Sequence, residues 1–337
     1  MTMQRDPVVF RIGLAATLLA LTVVVLGAWV RLSNAGLGCP DWPGCYGHVD
    51  VPANQAEIAA ANTAYPDRPV EPGKAWKEMV HRYFAGTLGL LIAALAFVAW
   101  RRRRLGVSVR LPTALVGLVV FQALLGMWTV TLLLKPLIVL GHLLGGLTIL
   151  ALLVWLTVSH APRLPSLPHP LWLRRLAVVA LAVLALQITL GGWTSTNYAA
   201  LACPDFPTCQ GQWWPDTDFD SAFVPWHGLG IDYEGGILTG PARTAIHMTH
   251  RLGAIVAAVI LATLALACLW PGRARNLRIG GGVLLGLLAL QLSLGVANVV
   301  WLLPLPVATA HNGGAALLLA ALVLLLRLLT RSTPGAR

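Results

Sequence analysis

The sequence predicts an all-α membrane protein with eight transmembrane helices, arranged as two four-helix bundles that repeat in parallel. Three observations support this prediction: the composition is strongly apolar, long apolar runs recur, and the same motifs appear twice at a regular offset. Of the 337 residues, 57% are hydrophobic and only 11% are charged, whereas a soluble domain carries about a quarter charged residues. This composition excludes an ordinary soluble protein.

The apolar runs set the number of helices. Crossing a bilayer as a helix takes about 20 mostly apolar residues, and hydrocarbon offers no water to pair with an open backbone, so such runs must be helical. The first run is too long for a cleaved signal peptide. The eight runs are residues 9–31, 80–100, 111–134, 137–159, 175–195, 246–270, 280–303 and 306–328.

The basic residues indicate orientation rather than nucleic-acid binding. The net charge is +11, but with the N-terminus inside, the inner segments hold 16 of the 24 Lys and Arg residues and a single acid, Asp6. This is the positive-inside bias, and "RRRRLG" (101–106) is its strongest anchor. We therefore expect a multi-pass protein of the bacterial plasma (inner) membrane, with both termini cytoplasmic, the cysteine loops outside and no nucleic-acid partner.

The chain repeats itself. "LGCPDWPGCYG" (37–47) returns as "LACPDFPTCQG" (201–211), 164 residues later, and after a loop insertion an offset of 169 relates His81 to His250 and His142 to His311. Four helices per copy is an even number, so both copies enter the membrane in the same direction. We predict an N-terminal half, 1–165, and a C-terminal half, 166–337, joined by a proline-rich linker at 159–172.

Four histidines form two predicted pairs. His81 and His142 lie near the outer ends of the second and fourth helices, and His250 and His311 repeat this arrangement. A polar side chain inside a membrane usually marks a site. Two facing histidines supply the axial ligands of a haem iron, whereas zinc requires three or four protein ligands. The pattern predicts two haem sites near the outer face.

The residues around these histidines extend the prediction. Four glycines lie one helical turn from a histidine and are expected either to leave room for a flat macrocycle or to serve helix packing: Gly145, Gly146, Gly313 and Gly314. The other loop and linker histidines, His48, His160, His169 and His227, are expected to be solvated. Arg82 and Arg251 follow their histidines directly and are expected either to pair with haem propionates or to anchor the helices at the interface.

One position distinguishes the halves. Glu78 precedes His81 by three residues, on the same helix face, and its counterpart in the repeat is His247. A carboxylate beside one centre and not the other indicates that the two sites have different roles. The alternative is that Glu78 is a helix-start residue favoured by the helix dipole.

The cysteines form two C-x5-C pairs. Cys39 is expected to bond Cys45, and Cys203 to bond Cys209, because each pair shares one short loop on the oxidising side. A disulfide that is strained and exposed is typically redox-active, which is one interpretation of these pairs. The alternatives are a purely structural disulfide and, with weaker support, a metal site that includes His48. Cys268 is expected to pack at a helix end.

Taken together, "EMVHR" (78–82), "HMTHR" (247–251), the paired histidines and the C-x5-C loops resemble the haem A synthase family over essentially the whole chain. The resemblance implies an oxidoreductase that converts the C8 methyl of haem O into a formyl group, through an alcohol and a hydrated aldehyde, giving haem A for terminal oxidases. His81 and His142 would hold the substrate haem, and His250 and His311 a permanent haem b. Glu78 would act near the reacting methyl.

The resemblance also implies partners and leaves alternatives. Cys39–Cys45 would be a redox-linked pair beside the substrate haem. Haem O synthase would be a source of substrate, and an unidentified electron acceptor would be a further partner. The protein would lie in membrane lipid and could form a homo-oligomer. A quinol-linked bis-haem cytochrome b explains the histidines but not Glu78. A parallel-repeat transporter or assembly factor does not require matched histidines.

Overall fold

The computed structural model describes residues 5–161 and 169–330, which leaves the centre of the predicted linker, residues 162–168, outside the described residues. In this part of the chain, eight helices are long and apolar enough to cross a membrane, so the predicted number is confirmed. The α-helices, in order, are α1 (Pro7–Leu32), α2 (Gln55–Ala64), α3 (Pro72–Arg101), α4 (Arg110–Thr131), α5 (Pro136–His160), α6 (Leu171–Thr196), α7 (Phe219–Ala222), α8 (Gly240–Leu269), α9 (Arg275–Val300) and α10 (Leu305–Leu329).

Local sequence explains where the helices begin. Asp6 caps α1, since its carboxylate accepts hydrogen bonds from the amides of Val8 and Val9 at 2.9 and 3.1 Å. Proline occupies the first turn of α1, α3 and α5, where its missing N–H costs nothing and its φ already suits a helix. The short helices α2 and α7 lie in two long loops, the first long loop (33–71) and the second long loop (197–239).

Each long helix starts before its apolar run, α3 and α8 by the most, and two runs extend three residues beyond their helices. α3 begins at Pro72 and α8 at Gly240, because residues such as Lys74 and Lys77 are good helix formers outside the apolar stretch. By contrast, the ends of runs 111–134 and 280–303 form tight turns, in which Leu133, Leu134, Leu302 and Leu303 have φ of 49°, 58°, 55° and 61°. Hydropathy therefore located the spans but not their ends.

The helices pack as two groups of four. α1 and α4 each pack against α3 and α5, and α6 and α9 each pack against α8 and α10. The groups meet through α5 with α10, α1 with α10, and α5 with α6. In the predicted repeat α1 corresponds to α6 and α5 to α10, so the last two contacts are equivalent. This arrangement is compatible with two related bundles; the division at residue 165 stays a prediction.

The apolar core occupies the part of the bundle away from the long loops. Leucine, alanine and valine side chains from all eight long helices form one cluster there. α10 is the most enclosed of the eight long helices: 61% of the residues in its most apolar stretch are buried, compared with 17% in α4 and in α9. His160 lies at this end of α5, where it is 3% exposed and its Nδ1 accepts the amide of Asp6 at 3.2 Å. The expectation that His160 is solvated is therefore wrong.

Candidate haem-binding site

The first pair of histidines meets between α3 and α5. The ring centroids of His81 and His142 are 6.5 Å apart and their planes are inclined by 74°. Metal–nitrogen bonds of about 2 Å on either side of an iron place the centroids of two axial imidazoles about 6 Å apart. The residues present therefore fit a six-coordinate haem iron, with each helix contributing one ligand.

A glycine on a neighbouring helix faces each of the four rings. A Cβ built on Gly27 or Gly191 would lie 3.0 Å from Cε1 of His81 or His250, and one built on Gly126 or Gly295 would lie 3.2 Å from Cε1 of His142 or His311. Any larger residue would push the ring away. The four histidines consequently share one packing geometry, each on a glycine of α1, α4, α6 or α9.

Glutamines hold three of these rings. Nε2 of Gln122 lies 3.1 Å from Nδ1 of His142, and Nε2 of Gln187 lies 3.0 Å from Nδ1 of His250. Nε2 of Gln291 approaches Nε2 of His311 at 3.4 Å. The carboxamides also fill the space that glycine leaves at Gly145 and Gly314, since a Cβ there would overlap the glutamine oxygen. The expectation that Gly145 and Gly314 make room for a macrocycle is therefore wrong.

Glu78 is a buried carboxylate between the histidine helix and the cysteine loop. Its side chain is 7% exposed, pairs with Arg82 at 2.5 Å and accepts the amide of Cys39 at 3.0 Å. Because α3 begins at Pro72, Glu78 is beyond the first turn, where a helix dipole acts most strongly. The helix-start interpretation of Glu78 therefore loses its basis. At the equivalent position, Nδ1 of His247 contacts the carbonyl of Ala199 at 3.0 Å.

Arg82 and Arg251 attach the cysteine loops to the histidine helices. Arg82 donates to the carbonyls of Asp41, Pro43 and Gly44 in the first long loop. Arg251 donates to the carbonyls of Thr208 and Asp205 at 2.8 Å and to that of Cys203 at 3.2 Å. The guanidinium groups thus have loop partners in this structure, and their predicted contact with haem propionates stays a prediction.

The repeated cysteine motif builds a self-closing loop. The carboxylate of Asp41 accepts the amides of Tyr46 and Gly47, both at 2.7 Å, and Asp205 accepts those of Gln210 and Gly211. Gly47 and Gly211 have φ of 79° and 74°, a region that favours glycine. The hydroxyl of Thr208 and these amides hold the pKa of Asp205 below its usual value. Both motifs are therefore built alike.

Each loop contains its expected disulfide. Cys39 is bonded to Cys45 and Cys203 to Cys209, so these cysteines present no free thiolate to a metal. All four side chains are fully buried. Burial removes the exposure on which the redox-active interpretation relied, although Cys39 remains in direct contact with Glu78 through its amide. Cys268 is buried at the end of α8, as expected.

The comparisons with known proteins show the family of this chain. A family model described as cytochrome oxidase assembly protein matches residues 10–323. The protein named Heme A synthase from Shewanella oneidensis is 48% identical to this chain over 315 residues, which cover 93% of each. The chain belongs to the haem A synthase family. A second haem A synthase, from Rhizorhabdus wittichii, is 30% identical over 92% of this chain and 90% of its own length.

In this haem A synthase family member, the second long loop crosses to the N-terminal group of helices. Lys135, which is 1% exposed, donates to the carbonyl of Gly228, and its ammonium lies 2.9 Å from the ring centroid of Trp226. Arg68 pairs with Asp232 at 2.6 Å and with Glu234 at 2.9 Å. The segment 226–234 therefore covers the α4–α5 turn and contacts the first long loop. The sequence contained no signal for this contact.

The glutamines are the site residues that sequence reasoning left without a role. The offset of 169 also relates Gln122 to Gln291 and Gly126 to Gly295, but this match by itself indicates only the repeat. Each glutamine precedes the glycine on its own helix by four positions, so both lie on one helix face. That spacing, on a helix next to each histidine helix, was the signal that could have identified them as neighbours of the rings.

Proposed function

We propose that this chain oxidises haem O to haem A, as the name of its family relatives indicates, and that it is an oxidoreductase of the membrane. The observation that carries the proposal is the meeting of His81 and His142 at axial-ligand separation, with a buried carboxylate one helical turn away. Family membership supports the reaction. The geometry supports the assignment of residues.

We assign His81 and His142 to the substrate haem, and His250 and His311 to a haem b that remains bound. The bound haem supplies redox chemistry at its iron, and the protein supplies the ligands. The glycine contacts of all four rings support two sites of one design. The N-terminal half, 1–165, would thus hold the substrate and the C-terminal half, 166–337, the electron carrier.

Glu78 is the residue we assign to the chemical step. Its carboxylate is held on both sides, by the Cys39 amide and by the Arg82 guanidinium, and is therefore a fixed negative charge on the His81 helix. Such a group stabilises a developing cation or accepts a proton at the methyl carbon that reacts. The absence of a carboxylate at His247 supports one catalytic half.

The Cys39–Cys45 disulfide would be coupled to the proposed catalytic site through Glu78. Its backbone contact with Glu78 means that opening of the disulfide would disturb the carboxylate and the Arg82 contacts together. In the second loop, Arg251 holds the Cys203–Cys209 loop without a carboxylate partner at position 247. We therefore link the first disulfide to turnover and regard the second disulfide as purely structural.

We place the protein in the bacterial inner membrane with both termini cytoplasmic and the cysteine loops outside. The charge distribution supports this orientation. Haem O synthase would supply the substrate from within the same bilayer, an electron acceptor would reoxidise the haem b site, and a homo-oligomer is compatible with the exposed apolar helix faces.

The test is to co-express the chain with a haem O synthase, purify it, and identify its haems by chromatography and mass. Haem b together with haem O or haem A supports the proposal. Haem b alone would support an electron-transferring cytochrome instead, and a protein without haem would favour a transporter. A strain that lacks the haem O synthase is the control, since it offers haem b as the only haem.

A further inference from the structure

Three of the four histidines are held by the same group of residues, which we call the glutamine clamp. In each clamp a glutamine on one helix contacts the ring of a histidine on the next helix, and lies against the glycine three residues after that histidine. The three clamps are Gln122, His142 and Gly145; Gln187, His250 and Gly253; and Gln291, His311 and Gly314.

Two of the clamps, those of Gln122 and Gln187, restrict the ring in two ways. Nε2 of Gln122 contacts the ring nitrogen of His142 at 3.1 Å and also donates to the backbone carbonyl of His142 at 2.6 Å; Gln187 makes both contacts to His250 at 3.0 Å. A histidine that binds iron through Nε2 carries its proton on Nδ1, so Nδ1–H must donate to the carboxamide oxygen, and the carboxamide offers this acceptor when its oxygen and nitrogen are exchanged. Hydrogen bonds of this kind orient metal-binding histidines and raise metal affinity about 10- to 100-fold.

His81 has no clamp. The position that corresponds to Gln187 is Val23, and the position that corresponds to Gly253 is Phe84, so both the carboxamide and its seat are replaced. Among the described residues, no side-chain amide contacts the His81 ring, and its Nδ1 is buried without a hydrogen-bond partner, as is Nδ1 of His311. Only the glycine contact is kept, through Gly27.

The two halves therefore differ in how they hold their ligands. The C-terminal pair, His250 and His311, has a glutamine at both rings, although Gln291 contacts Nε2 of His311 at 3.4 Å rather than its Nδ1. The N-terminal pair has a glutamine at His142 alone. An electron carrier stays in place between turnovers, but a substrate haem must enter and its product must leave. The site with one unclamped ligand is the one that our proposed function assigns to the substrate.

We propose that His81 is the releasable axial ligand: its bond to iron would form last when haem O enters and would break first when haem A leaves. This inference rests on the proposed function for the identity of the haem that exchanges. Dissociation of His81 would break one bond between an imidazole nitrogen and iron, and the lone pair would stay on His81. The bond to His142 would then break in the same way, and no electron is transferred. Gln122 keeps His142 in position throughout, which makes Gln122 a positioning residue.

The test installs the missing clamp with the double variant Val23→Gln/Phe84→Gly, and removes a clamp with the matched double variant Gln187→Val/Gly253→Phe. Protein co-expressed with haem O synthase is mixed with excess apomyoglobin, which scavenges released haem. We expect two phases in the wild type. The installed clamp should slow the fast phase about 10- to 100-fold, and the removed clamp should accelerate the slow phase by a similar factor.

Carbon monoxide provides a spectroscopic measurement that does not depend on turnover. A releasable ligand gives way to carbon monoxide in the reduced protein, so we expect one haem to bind the gas in the wild type and none after the clamp is installed. A fast phase and gas binding that are unchanged in Val23→Gln/Phe84→Gly would overturn the proposal. Equal release rates from both wild-type sites would overturn it as well.

Single substitutions keep the test decisive if a double variant does not fold. Gln122→Val removes the only clamp of the N-terminal site and should accelerate the fast phase, and Val23→Gln alone should slow it; no change in either contradicts the inference. Chromatography of the released haems separates the two proposals. If both sites hold haem b, the proposed function fails, while the difference in release rate still tests the role of His81.

Discussion

Glu78→Gln separates a chemical role of this carboxylate from a structural one. Glutamine has nearly the same shape, so the amide of Cys39 keeps an acceptor at the position where it is now 3.0 Å from Oε2. The variant removes the negative charge and the ion pair with Arg82, in which the side chains are 7% and 12% exposed.

The expected loss of stability is moderate. Breaking a buried ion pair from one side costs about 3–5 kcal/mol when the other charge has no partner, but Arg82 retains the carbonyls of Asp41, Pro43 and Gly44. The bond from Cys39 weakens by about 1 kcal/mol, the difference between a charged and a neutral acceptor. We therefore expect a decrease of about 2 kcal/mol in the free energy of unfolding, with the fold and both haems kept.

The expected loss of turnover is larger. Removal of one positioned acid–base group costs about 100- to 10,000-fold, and each tenfold corresponds to about 1.4 kcal/mol of barrier. Cells that carry Glu78→Gln and a haem O synthase should accumulate haem O or its alcohol while haem A falls, as measured by chromatography. His247→Gln, at the equivalent position, is the control and should leave haem A output unchanged. Haem A output within about twofold of the wild type for Glu78→Gln would refute the chemical role and leave Glu78 as a loop anchor.

The remaining predictions concern ligands, disulfides, the second long loop and pH. Alanine at His250 or His311 should lower the haem b content, whereas alanine at His81 or His142 should disturb haem O or haem A and leave haem b in place; loss of the same haem in all four variants contradicts the assignment. Cys39→Ala should impair turnover more than Cys203→Ala, and mass mapping without reduction should find no disulfide between the halves. Arg68→Ala removes two partly exposed ion pairs, each of which contributes less than about 1 kcal/mol. Thermal stability should therefore barely change, while proteolysis within 226–234 should increase. Unchanged proteolysis would argue against the contact between the two long loops. Burial raises the pKa of Asp6, but Arg102 and the amides of Val8 and Val9 outweigh this effect and hold the pKa below its usual value. The ionised carboxylate therefore stabilises the fold above the usual carboxylate pKa, and this stabilisation is lost as the pH falls through the lowered pKa. Asp6→Asn should flatten the acid side of a profile of thermal stability against pH.

The sequence by itself determined the number of membrane spans, the pairing of cysteines within each loop and the family. These properties are one-dimensional: an apolar run of sufficient length must become a helix in lipid, and two cysteines in one short loop are near each other in any fold. The repeat offset was equally direct, because it compares residues along the chain. It identified Glu78 as a position where the halves differ, and it relates Gln122 and Gly126 to identical residues in the second half.

Only the tertiary structure decided what these side chains contact. Arg82 and Arg251 bind loop carbonyls, and the place predicted for a macrocycle at Gly145 is taken by Gln122. The second long loop covers the other group of helices through Lys135. Each of these contacts joins segments that are distant in sequence, so it depends on which helices are neighbours and how each is rotated about its axis. Apolar patterning specifies that a helix exists, but the packing of side chains against their neighbours specifies its partner and its rotation.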